Sequence, residues 1–285
     1  MTVVLGLVAG ALAVVFLRVG APDVLASPVL ERENYRGHRL PTAAGILIVI
    51  GVLVVEAGRA VLGALGLGDE PGLTVDRSLV LFAVFAFGLL GFVDDVLGDG
   101  SARGFTGHVG ALAKGRITTG FLKLFGGAAV AVVLVATPGF ASGRRLIVDA
   151  VLIALAANLG NLLDRAPGRT LKLGLVAYVP LALVLGTGAA GVAIAPAMGA
   201  AFALLPDDLA ERVMLGDTGA NIVGAVLGLG VVLGRGETTR VTALVLVIGL
   251  TIVAEVSSFS RIIDRVPPLR WFDRLGCTRE RREAP

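Results

Sequence analysis

The chain has 285 residues and a formal net charge of +3; 55% of its residues are hydrophobic, 16% are charged, and the mean hydropathy is +0.88. A soluble domain carries about 25% charged residues, so the composition excludes a soluble globular protein, and no nucleic-acid partner is expected. Forty glycines suit closely packed membrane helices, and the lone Cys277 excludes an internal disulfide or a cysteine metal cluster.

Apolar stretches of about 17–25 residues are candidates to span a bilayer. The sequence predicts nine, over 2–18, 41–64, 78–97, 118–138, 145–163, 172–187, 189–206, 214–234 and 240–262. The first has no positive charge before it and Arg18 after it, which predicts an uncleaved anchor with its N-terminus outside. With that orientation the inner segments hold 18 Lys and Arg residues and the outer segments 6, as the positive-inside rule requires. The expected fold is therefore an all-α, polytopic helical membrane protein with about nine transmembrane helices and a cytosolic C-terminus. Residues 1–262 are expected to form a single transmembrane domain and 263–285 a basic cytosolic tail.

Polar residues gather at the predicted inner ends of these spans. Asp94 and Asp95 end span three, in Gly91-Phe92-Val93-Asp94-Asp95. Two carboxylates at the edge of hydrocarbon need a purpose, and magnesium commonly takes one or two carboxylates with phosphate oxygens. A solvated acidic helix end would account for the pair alone. Asn158, Asn161 and Asp164 end span five at spacings of three, which places them along one helix face. Amides in membrane helices can also simply bind neighbouring helices. Asp217 opens span eight within Met214-Leu215-Gly216-Asp217-Thr218-Gly219-Ala220-Asn221. It reads either as a helix N-cap or, beside the other acids, as a metal ligand.

Cations approach the same face. The segment Arg36-Gly37-His38-Arg39-Leu40-Pro41-Thr42 leads into span two, Arg103, His108, Lys114 and Arg116 follow span three, and Lys123 lies inside the apolar run of span four. Such cations could hold phosphates, although basic loops beside membrane helices also follow from topology alone. Gly186-Thr187-Gly188-Ala189-Ala190-Gly191 spells a dinucleotide fingerprint, but no strand precedes it. It is expected to be a helix–helix turn. A transporter would more often carry its ionisable groups at the midplane, whereas here they cluster at one interface.

Taken in order, Pro41-Thr42 and Gly45, Asp94-Asp95, Asn158/Asn161/Asp164 and Leu215-Gly216-Asp217-Thr218-Gly219 resemble the polyprenyl-phosphate N-acetylhexosamine-1-phosphate transferase superfamily. This is glycosyltransferase family 4, of the phospho-N-acetylmuramoyl-pentapeptide transferase type. The resemblance implies a multi-pass plasma-membrane enzyme of cell-envelope glycan biosynthesis, peptidoglycan included. It would move a sugar-1-phosphate from a UDP-sugar, a nucleotide sugar, to a polyprenyl phosphate at the cytosolic face, release UMP and use Mg2+. By the same resemblance Asp94, Asp95 and Asp217 are catalytic. Lys123, Asn158, Asn161, Asp164, Arg39 and Thr42 bind substrate, and Asp217, Asp95 and Asp164 hold the metal. A homodimer is consistent with the resemblance.

The chain departs from the family pattern in three places. The family often reads Asp-Gly-x-Asp-Gly after the amide series, whereas this chain reads Asp164-Arg165-Ala166-Pro167-Gly168, without the second acid. No histidine follows position 108, where the family carries a late histidine motif, and a tenth span is not expected. A family-derived protein that binds polyprenyl phosphate or a protein partner without transfer is the competing reading.

Overall fold

The computed structural model describes residues 2–68, 72–98, 118–136, 142–234 and 236–278. The long helices are α1 (Val3–Gly20), α2 (Ile46–Ala64), α3 (Val75–Leu97), α4 (Thr119–Ala136), α5 (Gly143–Leu163), α6 (Arg169–Leu185), α7 (Ala189–Ala203), α9 (Gly216–Leu233) and α10 (Glu237–Val256). Short helices complete the set: α8 (Leu205–Leu209), α11 (Phe259–Arg265) and α12 (Pro267–Arg274). Four helices open on hydroxyl caps. Thr2, Thr74, Thr118 and Ser142 accept from the N–H groups of Leu5, Arg77, Phe121 and Arg145 at 3.2, 3.4, 3.1 and 3.3 Å.

Among the described residues, eight helical segments are long and apolar enough to cross a membrane, with α7 and α8 together forming one of them, Ala189–Leu209. The sixth expected span forms as α6, which is not among the eight: it is 17 residues long and opens on buried Arg169 and Lys172. Two other boundaries differ from expectation. Span two starts at Ile46, because the preceding residues form a hairpin of β1 (Glu31–Glu33) and β2 (Arg39–Pro41), paired antiparallel. Span nine stops at Val256, where Ser257 turns extended, and 259–262 belong to a separate helix. The dinucleotide-like glycines form the α6–α7 turn, with Gly186 at φ +54°.

Helix α9 is the axis of the bundle. It packs on α3 and α5 and also meets α6 and α7, while α1 lies on α7 and α2, and α4 fits between α3 and α5. In contrast, α10 buries only Arg240. That arginine pairs with buried Asp149 of α5 at 2.5 Å, with Arg145 at 3.8 Å from the same carboxylate. At the same end of the bundle, Arg77 of α3 donates from Nε to Glu56 Oε2 of α2 at 2.8 Å, and Arg59 lies 3.4 Å from the other oxygen.

Residues 259–278 are not a free tail. Arg169 grips Asp273 of α12 at two points, 2.7 and 3.1 Å, and its Nη1 donates to Ser260 Oγ at 2.9 Å. Lys172 donates to the backbone carbonyls of Phe272, Asp273 and Leu275, and Cys277 is buried beside Pro167. Arg169 and Lys172, two of the 18 cations counted in the inner segments, are thus used to dock the C-terminal helices.

Candidate active site

The polar centre forms where the end of α3, the start of α4, the end of α5 and the start of α9 meet. Lys123 Nζ donates to Asp94 Oδ2 at 2.6 Å and is also bonded to Asp217 Oδ2. With its amide oriented to satisfy both neighbours, Asn161 donates to Asp217 Oδ1 and accepts from Lys123 Nζ at 3.0 Å. The Lys123 side chain is only 13% exposed, so water screens little of the attraction between its ammonium and the two carboxylates. Four helices remote in sequence therefore converge on one ammonium group.

Asp95 has a different task. Its carboxylate accepts from the backbone N–H groups of Asp217 and Thr218, each at 2.9 Å, and from Thr218 Oγ1 at 2.6 Å. Helix α9 has no side-chain cap of its own at Leu215. Asp95 supplies from α3 the acceptor that an N-cap residue would give locally. The alternative reading of Asp217 as the cap is thereby resolved: the cap is Asp95, and the Asp217 side chain is turned to Lys123.

The approach to α2 joins the same assembly. Met214 N–H donates to Pro41 O at 2.8 Å, Ala44 N–H to Met214 O at 3.2 Å and Gly45 N–H to Leu215 O at 3.0 Å. Ala43 sits in the left-handed region at φ +59°, as Gly216 does at +72°. A Cβ at Gly216 would lie 2.6 Å from Asp95 Oδ2, 2.7 Å from Ala43 N and 2.9 Å from Thr42 Oγ1. Thr42 is buried, so this joint accepts no side chain. A Cβ at Gly91 would likewise meet the Asp217 carbonyl oxygen at 2.4 Å, which lets α3 pass close to α9.

The other expected site residues distribute unequally. Asp164 caps the end of α5, its N–H bonded to Asn161 O at 3.1 Å. Its carboxyl lies beside the Thr170 hydroxyl, and its pKa is pushed well above the usual carboxylate range, first by burial and then by the neighbouring Asp208, Asp217 and Asp95. The side chain of Asn158, three residues up α5 from Asn161, makes no hydrogen bond among the described residues. Arg39 is on β2 and faces Glu31 at 3.5 Å, not the Lys123 centre. Arg36 pairs with Glu211 at 2.7 Å, in the turn before α9. Arg103, His108, Lys114 and Arg116 lie outside the described residues.

Among the described residues, no group of three or more His, Cys, Asp or Glu side chains is arranged to hold a metal ion. The expected ligands Asp217, Asp95 and Asp164 do not form a cage, because Asp95 is committed to the α9 backbone and Asp217 to Lys123 and Asn161. Magnesium nevertheless needs few protein ligands when substrate phosphates complete its shell. The hard carboxylate oxygens of Asp217 and Asp94 suit it in kind.

The raised pKa of Asp164 has a testable sign. The folded protein keeps a proton on this group that the unfolded chain has released, so stability falls as pH rises from the ordinary carboxylate range, about pH 4 upward. With EDTA present, the Tm of the parent protein is expected to drop more between about pH 5 and pH 8 than that of Asp164→Asn. Parallel Tm curves for the two proteins would refute this.

Fold and site define a multi-pass helical membrane protein with a charged centre at one end of its bundle. Over 268 residues the chain is 25% identical to the phospho-N-acetylmuramoyl-pentapeptide-transferase of Desulfitobacterium hafniense, covering 83% of this chain and 76% of that protein. Over 200 residues it is 29% identical to the phospho-N-acetylmuramoyl-pentapeptide-transferase of Deinococcus radiodurans, covering 65% of this chain and 59% of that protein. No family model matches the chain. The chain is a distant homologue of the phospho-N-acetylmuramoyl-pentapeptide-transferases of glycosyltransferase family 4.

Proposed function

We propose that this protein transfers a sugar-1-phosphate from a UDP-sugar to a polyprenyl phosphate at the cytosolic face of the plasma membrane, releasing UMP. The observation that carries the reading is the Asp94–Lys123–Asp217 bridge with Asn161 against it, built by four helices at one end of the bundle. A cavity of about 770 Å³ between α5, α6, α9 and α10 supports a lipid substrate. Its wall is almost wholly apolar, including Leu163, Leu173, Val176, Leu227 and Leu246, and it reaches Gly160 and Thr170 beside the polar centre.

In this reaction one oxygen of the lipid phosphate bonds to the sugar-bearing phosphorus. The bond from that phosphorus to the bridging oxygen breaks, and its electron pair leaves with UMP. Lys123 offers an ammonium to phosphate oxygens that displace one of its carboxylate partners. Asp94, on the α3 side of the bridge, orients the lipid phosphate and accepts its proton. Asn161 holds Asp217 in place, and Asp164 lies one turn beyond it, towards the donor. Asp217, with Asp94 beside it, would hold magnesium, which supplies charge neutralisation as one phosphate approaches another.

Purified protein incubated with polyprenyl phosphate, Mg2+ and a panel of UDP-sugars is expected to release UMP with at least one donor, and to stop when EDTA is added. Silence with every donor would reject the transferase reading.

A further inference from the structure

The short helix α8 carries two adjacent buried acids with unlike surroundings. Asp207 is paired with Arg18 and with Arg212, the latter at 3.1 Å. Asp208 has no ion-pair partner among the described residues. Instead, Asp208 Oδ2 accepts the backbone N–H of Gly168 at 2.9 Å, and the carboxylate also faces the Leu215 N–H. Those two amides lie on different arms of the polar centre. Gly168 closes the loop that follows Asn161 and Asp164, and Leu215 precedes Asp217 by two residues.

The packing around the tie is tight. Gly168 stands at φ +68°, and a Cβ there would lie 2.4 Å from Leu209 Cδ2, so α8 rests directly on the loop. Gly168 is also next to Pro167, the position where the family resemblance leads one to expect a second acid. Helix α8 thus brings a carboxylate to the Gly168 end of this loop. A buried carboxylate without a cation is unfavourable, and the Gly168 N–H bonded to it, with the Leu215 N–H facing it, is the compensation visible in the structure.

We propose that Asp208 is a positioning residue: it ties the 164–168 loop to the 213–216 segment and so sets the spacing between Asp164 and Asp217. This deepens the transferase reading and rests on it for its catalytic consequence, though not for the tie itself. Hydrogen exchange reads the tie, and steady-state UMP release reads the consequence. In Asp208→Ala, peptides covering 164–170 and 210–218 are expected to exchange about tenfold faster together. The kcat is expected to fall about 10²-fold, with the KM for the donor changing much less. Asp208→Asn keeps one acceptor and is expected to fall between Ala and the parent. It also serves as the test variant if Ala does not fold.

Glu56→Ala, which breaks a buried ion pair at the opposite end of the bundle, is the control for general destabilisation. If Asp208→Ala changes exchange in the two segments no more than Glu56→Ala does, the tie is refuted. If only one segment responds, the proposed coupling is refuted. A parent protein that releases no UMP would reject the transferase reading, while the exchange comparison would still decide the role of Asp208.

Discussion

Asp217→Asn is expected to lower UMP release by about 10³-fold, with little loss of stability. The substitution keeps the volume of the side chain and an oxygen that Lys123 can use; only the bond from Asn161 is lost, so most of the bundle's contacts remain. What disappears is one of the two negative charges that hold Lys123 and one of the two carboxylates that suit magnesium. A Tm within roughly a few degrees of the parent, together with near-complete loss of turnover, identifies a chemical role. Equal losses of Tm and activity would assign Asp217 to folding instead. Lys123→Met is the complement. It leaves the Asp94 and Asp217 carboxylates facing each other without their shared cation, so both stability and turnover are expected to fall.

Asp95→Ala is expected to destabilise the protein by on the order of 3 kcal/mol or more, and to inactivate it as a result. Three hydrogen bonds to one carboxylate are lost, and two backbone N–H groups at the start of α9 are left without acceptors. Asn is not a safe replacement here. Its oxygen can serve one N–H, but its amide nitrogen would then face another donor. Gly216→Ala tests the same joint from the other side, because the added Cβ meets Asp95 Oδ2 at 2.6 Å and the φ of +72° disfavours any side chain. Both variants should show a lower Tm in detergent before any loss of activity is interpreted. A stable Asp95→Ala protein would remove the carboxylate from the architecture of α9.

Much of the fold was legible in the apolar runs, since α1, α3, α4, α5 and α9 lie within a few residues of their expected spans. The convergence of Asp94, Lys123, Asn161 and Asp217 was also legible, because hydrocarbon makes each polar residue at a helix end conspicuous. The β1–β2 hairpin was not, since three-residue strands carry no periodic signal. Its only signals were Asn34 and Gly37 between polar neighbours. The division of labour between Asp94 and Asp95 was equally hidden. Adjacent acids are indistinguishable in sequence until the backbone that one of them caps is placed beside it. Asp208 was missed for the same reason, although an Asp207-Asp208 pair between two apolar spans was a signal of the kind that drew attention to Asp94 and Asp95. In the sequence Arg169 and Lys172 stand out only as two of the 18 inner-segment cations, because their partners, in and around α12, lie about a hundred residues further on.

Because the cap of α9 is supplied by α3, the order of synthesis shapes how the protein is completed. Asp95 is made 122 residues before Asp217, and among the described residues four further long helices, α4 to α7, are made before its donors exist. The opening turn of α9 has bare N–H groups until it docks against α3. That docking event is also what carries Asp217 to Lys123. A nascent chain that ends before residue 216 can hold most of its membrane helices and still have no assembled centre, so the polar site is finished last.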